Sequence, residues 1–236
     1  MTSATRRTWS TCSAWGVWPK PGSPQHRCDE LREIIRYRGK LVHLRNSLKS
    51  QIPAVLAKEG VTVSMTDLFG IGGQVLLDKV HLANAYRVRV ESLRDLINQV
   101  NREIAMLEEQ TAPYFAGDLG CNAVQSIPGV GPVLAAIFVA EIGDISRFTS
   151  ARHLSSWAGL TPTHKESDVT VRRGHITKQG SRLVRWAAVE PVAHQRTDSP
   201  IRRHHRNVGE RRGTQIGRVA AARKLLIVVS HHGPLS

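Results

Sequence analysis

The sequence predicts a mostly α-helical protein, and three observations support that class. Apolar residues between Leu31 and Leu56 recur at helical spacings, and a seven-residue seam runs from Tyr86 to Leu107. A third run, Val133 to Ala140, is apolar and rich in alanine. Spacings of three and four residues place apolar side chains on one face of a helix. We therefore expect a helical and partly coiled-coil region over 29–115, followed by a helical domain over 116–230.

The first helix is expected from Asp29 to about Gly60, because glycine commonly ends a helix. The clearest period follows it, in steps that alternate between four and three residues: Tyr86, Val90, Leu93, Ile97, Val100, Ile104 and Leu107. Such a heptad seam predicts a coiled coil. The seam could pair between chains, giving a homo-oligomer through Tyr86 to Leu107, or fold back on the 29–58 helix. We favour self-association.

The charge of the chain is its most unusual bulk property. With 41% hydrophobic and 22% charged residues the composition is ordinary, but the formal net charge is +14. Residues 165–224 contain fifteen basic and five acidic residues, whereas 29–164 contain fourteen of each. Such an excess favours a nucleic acid as partner. A solvated basic surface is the alternative, and an acidic membrane is disfavoured because the basic stretch lacks a long apolar face.

Cysteine usage and the termini point to a reducing, cytoplasmic setting. Cys12, Cys28 and Cys121 are far apart and imply neither a disulfide framework nor a zinc site. The chain has no apolar stretch of membrane-spanning length, and its N-terminus lacks the apolar middle of a secretion signal. We therefore expect no membrane partner. Residues 1–28 contain no carboxylate and no helical or strand period, so we expect a disordered or poorly packed extension there.

A glycine turn precedes the alanine-rich helix expected over 133–141. It reads Ile127-Pro128-Gly129-Val130-Gly131-Pro132, with short helical segments on both sides, which is the outline of a helix-hairpin-helix. Two glycines allow a tight bend, and unpaired N–H groups at a helix start attract phosphate. We therefore expect Gly129, Val130 and Gly131 to contact DNA. A plain turn between two helices is the alternative.

Several motifs follow this turn in a fixed order: Phe148-Thr149-Ser150, Trp157-Ala158-Gly159-Leu160-Thr161-Pro162, Glu166-Ser167-Asp168, Arg172-Arg173-Gly174-His175-Ile176-Thr177-Lys178-Gln179-Gly180 and Leu183-Val184-Arg185-Trp186. Together they resemble the C-terminal domain of the insertion-sequence one-ten transposases, which join a RuvC-like DEDD domain to a serine-bearing domain. The resemblance is dense over 126–190, weaker over 30–125 and poor before residue 29. It implies DNA transposition as the function.

The resemblance also assigns a nucleophile, since Ser167 matches the serine that attacks a DNA phosphodiester in that family. Its segment, 163–174, is expected to be a loop, and basic residues stand close to it in sequence: Lys165, Arg172 and Arg173. Asp168 departs from the Ser-Gly pair frequent in the family. Ser181 is the rival serine, although its place before Leu183 is typical of a helix cap.

Further basic residues are expected to hold the DNA backbone. Lys178, Arg182 and Arg185 lie at the start of one predicted helix, close enough to meet one phosphate together. The Arg- and His-rich stretch 196–213 reads as an exposed basic linker. A last helix is expected from about Ile216, ending near Gly233.

The family implies two partners that this sequence does not itself provide. Its DEDD carboxylates hold Mg²⁺ ahead of the helical region, whereas the first acidic residue here is Asp29. We therefore assign no metal site and no cofactor to this chain, and expect a truncated or frame-shifted copy. A structured guide RNA is the second implied partner. A catalytically inactive nucleic-acid-binding remnant is the alternative function.

Overall fold

The computed structural model describes residues 24–167 and 170–232, with side chains over 29–163 and 174–231. The protein is mostly α-helical, as predicted, with one small antiparallel sheet in the described residues. Its helices are α1 Pro24–Lys58, α2 Ile71–Lys79, α3 Asn84–Ala116, α4 Leu119–Gln125, α5 Pro132–Ile142, α6 Ala151–Trp157, α7 Arg182–Val189, α8 Pro200–Arg212 and α9 Thr214–His232. The strands are β1 Pro162–Ser167 and β2 Thr170–Ile176, between α6 and α7.

The chain forms two compact units. The middle unit is 37–110, and the C-terminal unit combines 1–36 with 111–236. Both α1 and α3 contribute residues to each unit. The start of α1 therefore packs with the C-terminal unit.

The middle unit is built on antiparallel pairing of α1 with α3. Arg38 Nε donates to Glu108 Oε1 at 2.7 Å, and Arg45 Nη1 donates to Asn101 Oδ1 at 3.2 Å, so positions advance along one helix as they fall along the other. The apolar core collects residues from α1, α2, α3 and the connections between them: Ile52, Val55, Leu56, Leu68, Leu77, Leu82, Val90, Leu93 and Ile97.

The heptad seam of α3 is buried within a single chain. Six of its seven residues, from Val90 to Leu107, are at most 8% exposed, and Tyr86 is half-buried. Val90, Leu93 and Ile97 share a core with α1 and α2. The intramolecular pairing that the sequence left open is thus what the structure contains. Self-association through Tyr86 to Leu107 stays a prediction, and the seam itself is already covered.

The C-terminal unit has a core of helices that approach closely. Ala135 and Phe138 of α5 are almost fully buried, as are Val184 of α7 and Leu225 of α9. Alanines recur at these contacts because a small side chain lets two helix backbones come near each other. They are Ala135, Ala136, Ala140, Ala187, Ala188, Ala221 and Ala222. The strongly apolar α5, which was predicted from 133–141, lies within this core.

One expectation about the irregular parts of the chain is wrong. The stretch 196–213 is not a linker, because most of it forms α8, which Ser199 caps by accepting from Arg202 N at 3.0 Å and which Gly213 follows with φ 97°. Residues 24–28, assigned to the disordered or poorly packed extension, form the backbone of the first turns of α1. The rest of that extension lies outside the described residues.

Candidate nucleic-acid interface

The glycine turn joins α4 to α5 through residues 126–131. Gly129 has φ 81°, a conformation that glycine adopts without strain. The turn is held from one side, because Gln195 Nε2 donates to Pro128 O and a side chain at Gly129 would lie 3.1 Å from Pro191 O. Its other side is exposed. Two short helices are thus joined by a tight turn at the predicted place, while its use as a DNA-binding helix-hairpin-helix stays a prediction.

The three predicted phosphate contacts of the turn have different environments. Gly129 and Gly131 are exposed. Val130 is 5% exposed, and its N–H donates to Ile127 O at 3.0 Å. Val130 therefore anchors the turn in the core, and it offers neither a side chain nor a free N–H to a ligand.

The start of α5 has unpaired backbone donors. Gly131 is the N-cap and provides no side-chain cap, and Pro132 occupies the first helical position. The first N–H groups of a helix have no partner within it, so that of the half-buried Val133 is a candidate donor to an anion. Gly131 and Pro132, which lead into this end, are exposed.

The segment 163–174 is a β-hairpin, so the expectation of a loop is wrong. Strands β1 and β2 pair antiparallel, with His164 opposite Arg173, Lys165 opposite Arg172 and Ser167 opposite Thr170. Ser167 is thus the last residue of β1, beside Asp168 and Val169, which lie outside the described residues. The register brings the backbone positions of Lys165, Arg172 and Arg173 together in one hairpin with the predicted nucleophile.

Two glycines fix the base of this hairpin. A side chain at Gly159, before β1, would lie 2.0 Å from Gln179 O, and one at Gly180, after β2, would lie 1.8 Å from Trp157 O. The backbones are joined by hydrogen bonds from Lys178 N to Gly159 O at 3.0 Å and from Thr177 N to Thr161 O at 2.9 Å. The chain can make this contact only because neither glycine has a Cβ.

Arg185 supports the same contact from inside. Its Nη1 donates to Ala158 O at 3.2 Å, to Gln179 O at 2.8 Å and to Gly180 O at 3.0 Å. Burial, and secondarily the charge of Arg182, lower the pKa of Arg185 from its ordinary value. Three carbonyls from two chain segments give this guanidinium a structural role. Its predicted contact with DNA stays a prediction for the remaining N–H groups alone.

The remaining predicted residues lie where α7 begins. Ser181 is the N-cap of α7 and accepts from Val184 N at 3.3 Å, as its sequence position indicated. Lys178 and Arg182 are exposed on either side of it, and Lys178 has φ 55°. These two cations are free to meet a phosphate.

Arg147 and Trp186 lie outside the set of predicted DNA-binding and catalytic residues. The Arg147 guanidinium lies 4.6 Å from the ring centre of Phe148 and 4.9 Å from that of Trp157, and the two rings meet edge to face. This stack holds Trp157, the residue whose backbone carbonyl oxygen lies against Gly180. Trp186, on α7, is 42% exposed. The sequence motifs that contain Phe148, Trp157 and Trp186 were the signal from which the importance of these positions could have been predicted.

The described residues contain neither a metal-binding cluster nor a membrane-spanning helix. No group of three or more His, Cys, Asp and Glu side chains there could hold a metal ion. Nor is any helix in that part of the chain long and apolar enough to cross a membrane.

All the candidate DNA-binding and catalytic residues lie in one segment that matches a known family. Residues 121–206, from the first turn of α4 to the middle of α8, match the model described as Transposase IS116/IS110/IS902 family. This segment of the chain is thus similar to that transposase family. The match contains the glycine turn, the β-hairpin and α7.

Curated relatives agree with this transposase assignment. A probable family 20 transposase of Pseudomonas aeruginosa is 25% identical over 66% of this chain and 47% of its own length. The transposase for insertion sequence element IS1111A of Coxiella burnetii is 28% identical over 66% of this chain and 44% of its own. A pilin gene-inverting protein of Moraxella lacunata is 32% identical over 42% and 30%. The chain thus spans less than half the length of these relatives.

Proposed function

We propose that this chain acts in DNA transposition or recombination, binding DNA through its C-terminal unit and presenting Ser167 to a phosphodiester. The observation that carries the proposal is the coincidence of the candidate residues with the transposase-family segment 121–206. The names of the matched relatives, two transposases and a gene-inverting protein, fit the same class of reaction.

DNA binding is supported by the open side of the glycine turn and the start of α7. The exposed N-terminus of α5 offers backbone donors to one phosphate, and such a contact is independent of base sequence. Lys178 and Arg182, which are exposed, add two cations on a different element. A polyanion that bridges these two places would gain affinity mainly from charge, so its binding would weaken with salt.

The chemistry proposed for Ser167 is a phosphoryl transfer. Its Oγ forms a bond to phosphorus while the bond from phosphorus to one deoxyribose oxygen breaks. The serine proton leaves, and the released oxygen takes up a proton as the new hydroxyl. The other strand end remains joined to the serine as a phosphodiester, which allows later rejoining. Cations stabilise the charge that develops on the phosphate oxygens, and the hairpin positions of Lys165, Arg172 and Arg173 suit that task.

The family resemblance implies Mg²⁺ held by carboxylates. The described part of this chain contains no cluster of side chains suited to a metal ion, so we derive no step through one. The implied guide RNA likewise stays a prediction.

Trapping of a covalent intermediate tests the catalytic part of the proposal. The full chain is incubated with DNA carrying the ends of its own element, with Mg²⁺ and with or without RNA transcribed from that element, and then denatured. We expect a protein–DNA adduct with the wild type that Ser167→Ala abolishes. Ser181→Ala is the matched control, because that hydroxyl caps α7. The adduct should persist in this variant.

Binding measured with the same protein variants and DNA, before denaturation, separates the two functions under consideration. Salt-sensitive DNA binding without an adduct would contradict the nucleophile and leave the alternative, a nucleic-acid-binding remnant. Loss of the adduct in Ser181→Ala, with Ser167→Ala still active, would move the nucleophile to Ser181. Absence of any DNA or RNA binding would contradict the proposal as a whole.

A further inference from the structure

Helix α8 presents one continuous exposed face that the proposed function does not use. The face, called here the α8 outer face, comprises Arg203, Arg206, Asn207, Glu210 and Arg211. Positions spaced by three, four, seven and eight residues lie along one side of a helix. The opposite side of α8 packs on α9, where Gly217 lies against the backbone of His205 and Gly209. The outer face therefore points away from the protein's own core.

The guanidinium groups of the outer face have no carboxylate partner within the described residues. Arg211 Nε donates to Asn207 O at 3.0 Å, and Arg203 Nη2 lies 3.5 Å from Asp198 O, so both contact backbone carbonyls and keep further N–H groups open. Across α8 and α9 together, residues 200–232, eight arginines and lysines accompany a single acidic residue, Glu210. A helix pair with so few acidic residues to balance its positive charge attracts polyanions.

Positive charges from α8 and α9 also lie close to each other. His204, on α8, has its pKa lowered by burial and then by the charges of Lys224 and Arg211. These two cations come from different helices, so the positive potential belongs to the helix pair rather than to one side chain. It is separate in sequence from the start of α7 and extends beyond residue 206, where the family match ends.

We propose that the α8 outer face binds the phosphodiester backbone of a nucleic-acid duplex, as a second contact besides the glycine turn and α7. From Arg203 to Arg211 the helix rises about 12 Å, at 1.5 Å per residue. That distance corresponds to roughly four base steps along one strand of a duplex. Arginine suits this task, since its planar fork of donors matches phosphate oxygens. The inference rests on the proposed function for the nature of the ligand, while the residues involved are different.

Salt-dependent binding by the full chain provides the test, with a short DNA duplex and an RNA duplex as separate probes. The double variant Arg203→Gln with Arg206→Gln keeps helix-forming side chains but removes two charges. If each arginine meets a phosphate, the slope of log affinity against log salt should fall by about 1.8 for DNA. The matched control is Arg87→Gln with Arg102→Gln, which removes two exposed charges from α3 and should leave the slope nearly unchanged. Circular dichroism verifies folding of each variant.

Glu210→Gln gives the opposite expected result. Removal of the one carboxylate of the outer face should strengthen duplex binding, an effect that a merely destabilised α8 would not produce. In the double variant Arg203→Gln with Arg206→Gln, a slope that falls only with the RNA duplex would identify RNA as the ligand of this face. A slope that falls only with the DNA duplex would identify DNA. Both results support the proposal.

The proposed function and this inference can fail separately. A further variant, Lys178→Gln with Arg182→Gln, alters only the cations at the start of α7. If it loses slope while the α8 variant keeps the wild-type slope, the outer face is a solvated surface and the inference is overturned. If the wild-type chain binds neither probe at any salt concentration, the proposed function fails together with it.

Discussion

The two units of this protein handle their arginines in opposite ways. In the middle unit, arginines meet acidic or amide side chains: Arg38 meets Glu108, Arg94 meets Asp78 and Gln74, and Arg89 meets Gln51. In the C-terminal unit from α7 onwards, most of the described arginines contact no acidic side chain. Arg185 and Arg202, for example, donate to backbone carbonyl oxygens. These arginines of the middle unit are therefore held by side chains of that unit, whereas the arginines from α7 onwards are left available to an external anion.

The comparison shows where function can reside. A helical pair such as α1 and α3 uses ion pairs on its rim and an apolar seam inside. The C-terminal unit packs its core with alanine and glycine and keeps its excess of positive charge at the surface. Stability and ligand binding thus rely on different residues, which makes them separable by mutation.

The largest difference is expected at positive-φ glycines. Gly180→Ala should destabilise the protein by roughly 3–5 kcal/mol, because its methyl group would meet Trp157 O at 1.8 Å in addition to the strain of the positive φ. Gly60→Ala in the middle unit, where φ is 71° and nothing lies within 4 Å, should cost only about 1 kcal/mol. Urea denaturation measures both. Equal costs would show that the base of the hairpin can relax.

A second contrast concerns ion pairs. Glu141 on α5 is buried, with its side chain 2% exposed, and Arg36 Nε donates to its Oε1 at 2.7 Å. Arg36→Ala leaves a buried carboxylate unpaired, so a loss of about 2–4 kcal/mol is expected. Arg94→Ala removes the partner of the exposed Asp78 and should cost below about 1 kcal/mol.

The Arg36 contrast has a clear counter-result. If Arg36→Ala costs no more than Arg94→Ala, then Glu141 is reached by water and the pair resembles those of the middle unit. Restoration of stability in Arg36→Ala with Glu141→Leu would instead attribute the loss to the buried charge, since an apolar pair of residues replaces a buried ion pair at little cost.

A smaller effect is expected at the cap of α7. Ser181→Ala should cost about 1 kcal/mol, because Val184 N loses the hydroxyl that accepts its hydrogen bond. The matched change in the middle unit, Ser64→Ala, removes an exposed hydroxyl between helices and should be nearly neutral. Thermal unfolding of the two variants compares them. A neutral Ser181→Ala would show that water replaces the cap.

The smallest effect is expected from the pH dependence of stability. The pKa of His204 is lowered in the folded protein, so the unfolded chain binds its proton more readily and stability falls as pH drops below the ordinary value of 6.5. His204→Gln should remove this part of the decline. Unfolding at several pH values measures it, and added salt should reduce the wild-type decline by screening Lys224 and Arg211. An identical pH profile in the variant would contradict the assignment.

Local signals in the sequence predicted much of this molecule. The seam of α3, the extent of α5 and the cap at Ser181 depend on residues within one or two helical turns, and the structure confirms them. Helix α8 also had local signals, namely Ser199, Pro200 and Gly213 at its two ends. The many charged residues between them led to the interpretation as a linker, which gave composition more weight than capping.

The hairpin and the role of Arg185 could not be predicted in this way. Pairing of β1 with β2 excludes the loop expected over 163–174, yet neither strand alternates apolar and polar residues clearly enough to indicate a sheet. Arg185 meets carbonyls from residues 27 and 6 positions away, and only the folded chain brings these together. The candidate site was therefore predictable as a set of residues, through the family resemblance, but not as an arrangement.

The glycine contact between residues 159 and 180 has a geometric consequence for the proposed nucleophile. It fixes the start of β1 against the end of β2, so the distance from the base of the hairpin to Ser167 is set by the length of β1. Each residue added to a strand extends it by about 3.3 Å and turns the following side chain to the other face. Insertions of two residues in each strand would thus lengthen the β1–β2 hairpin by about 6.6 Å and keep the orientation of Ser167. The distance of Ser167 from the base of the hairpin can therefore change only in fixed increments.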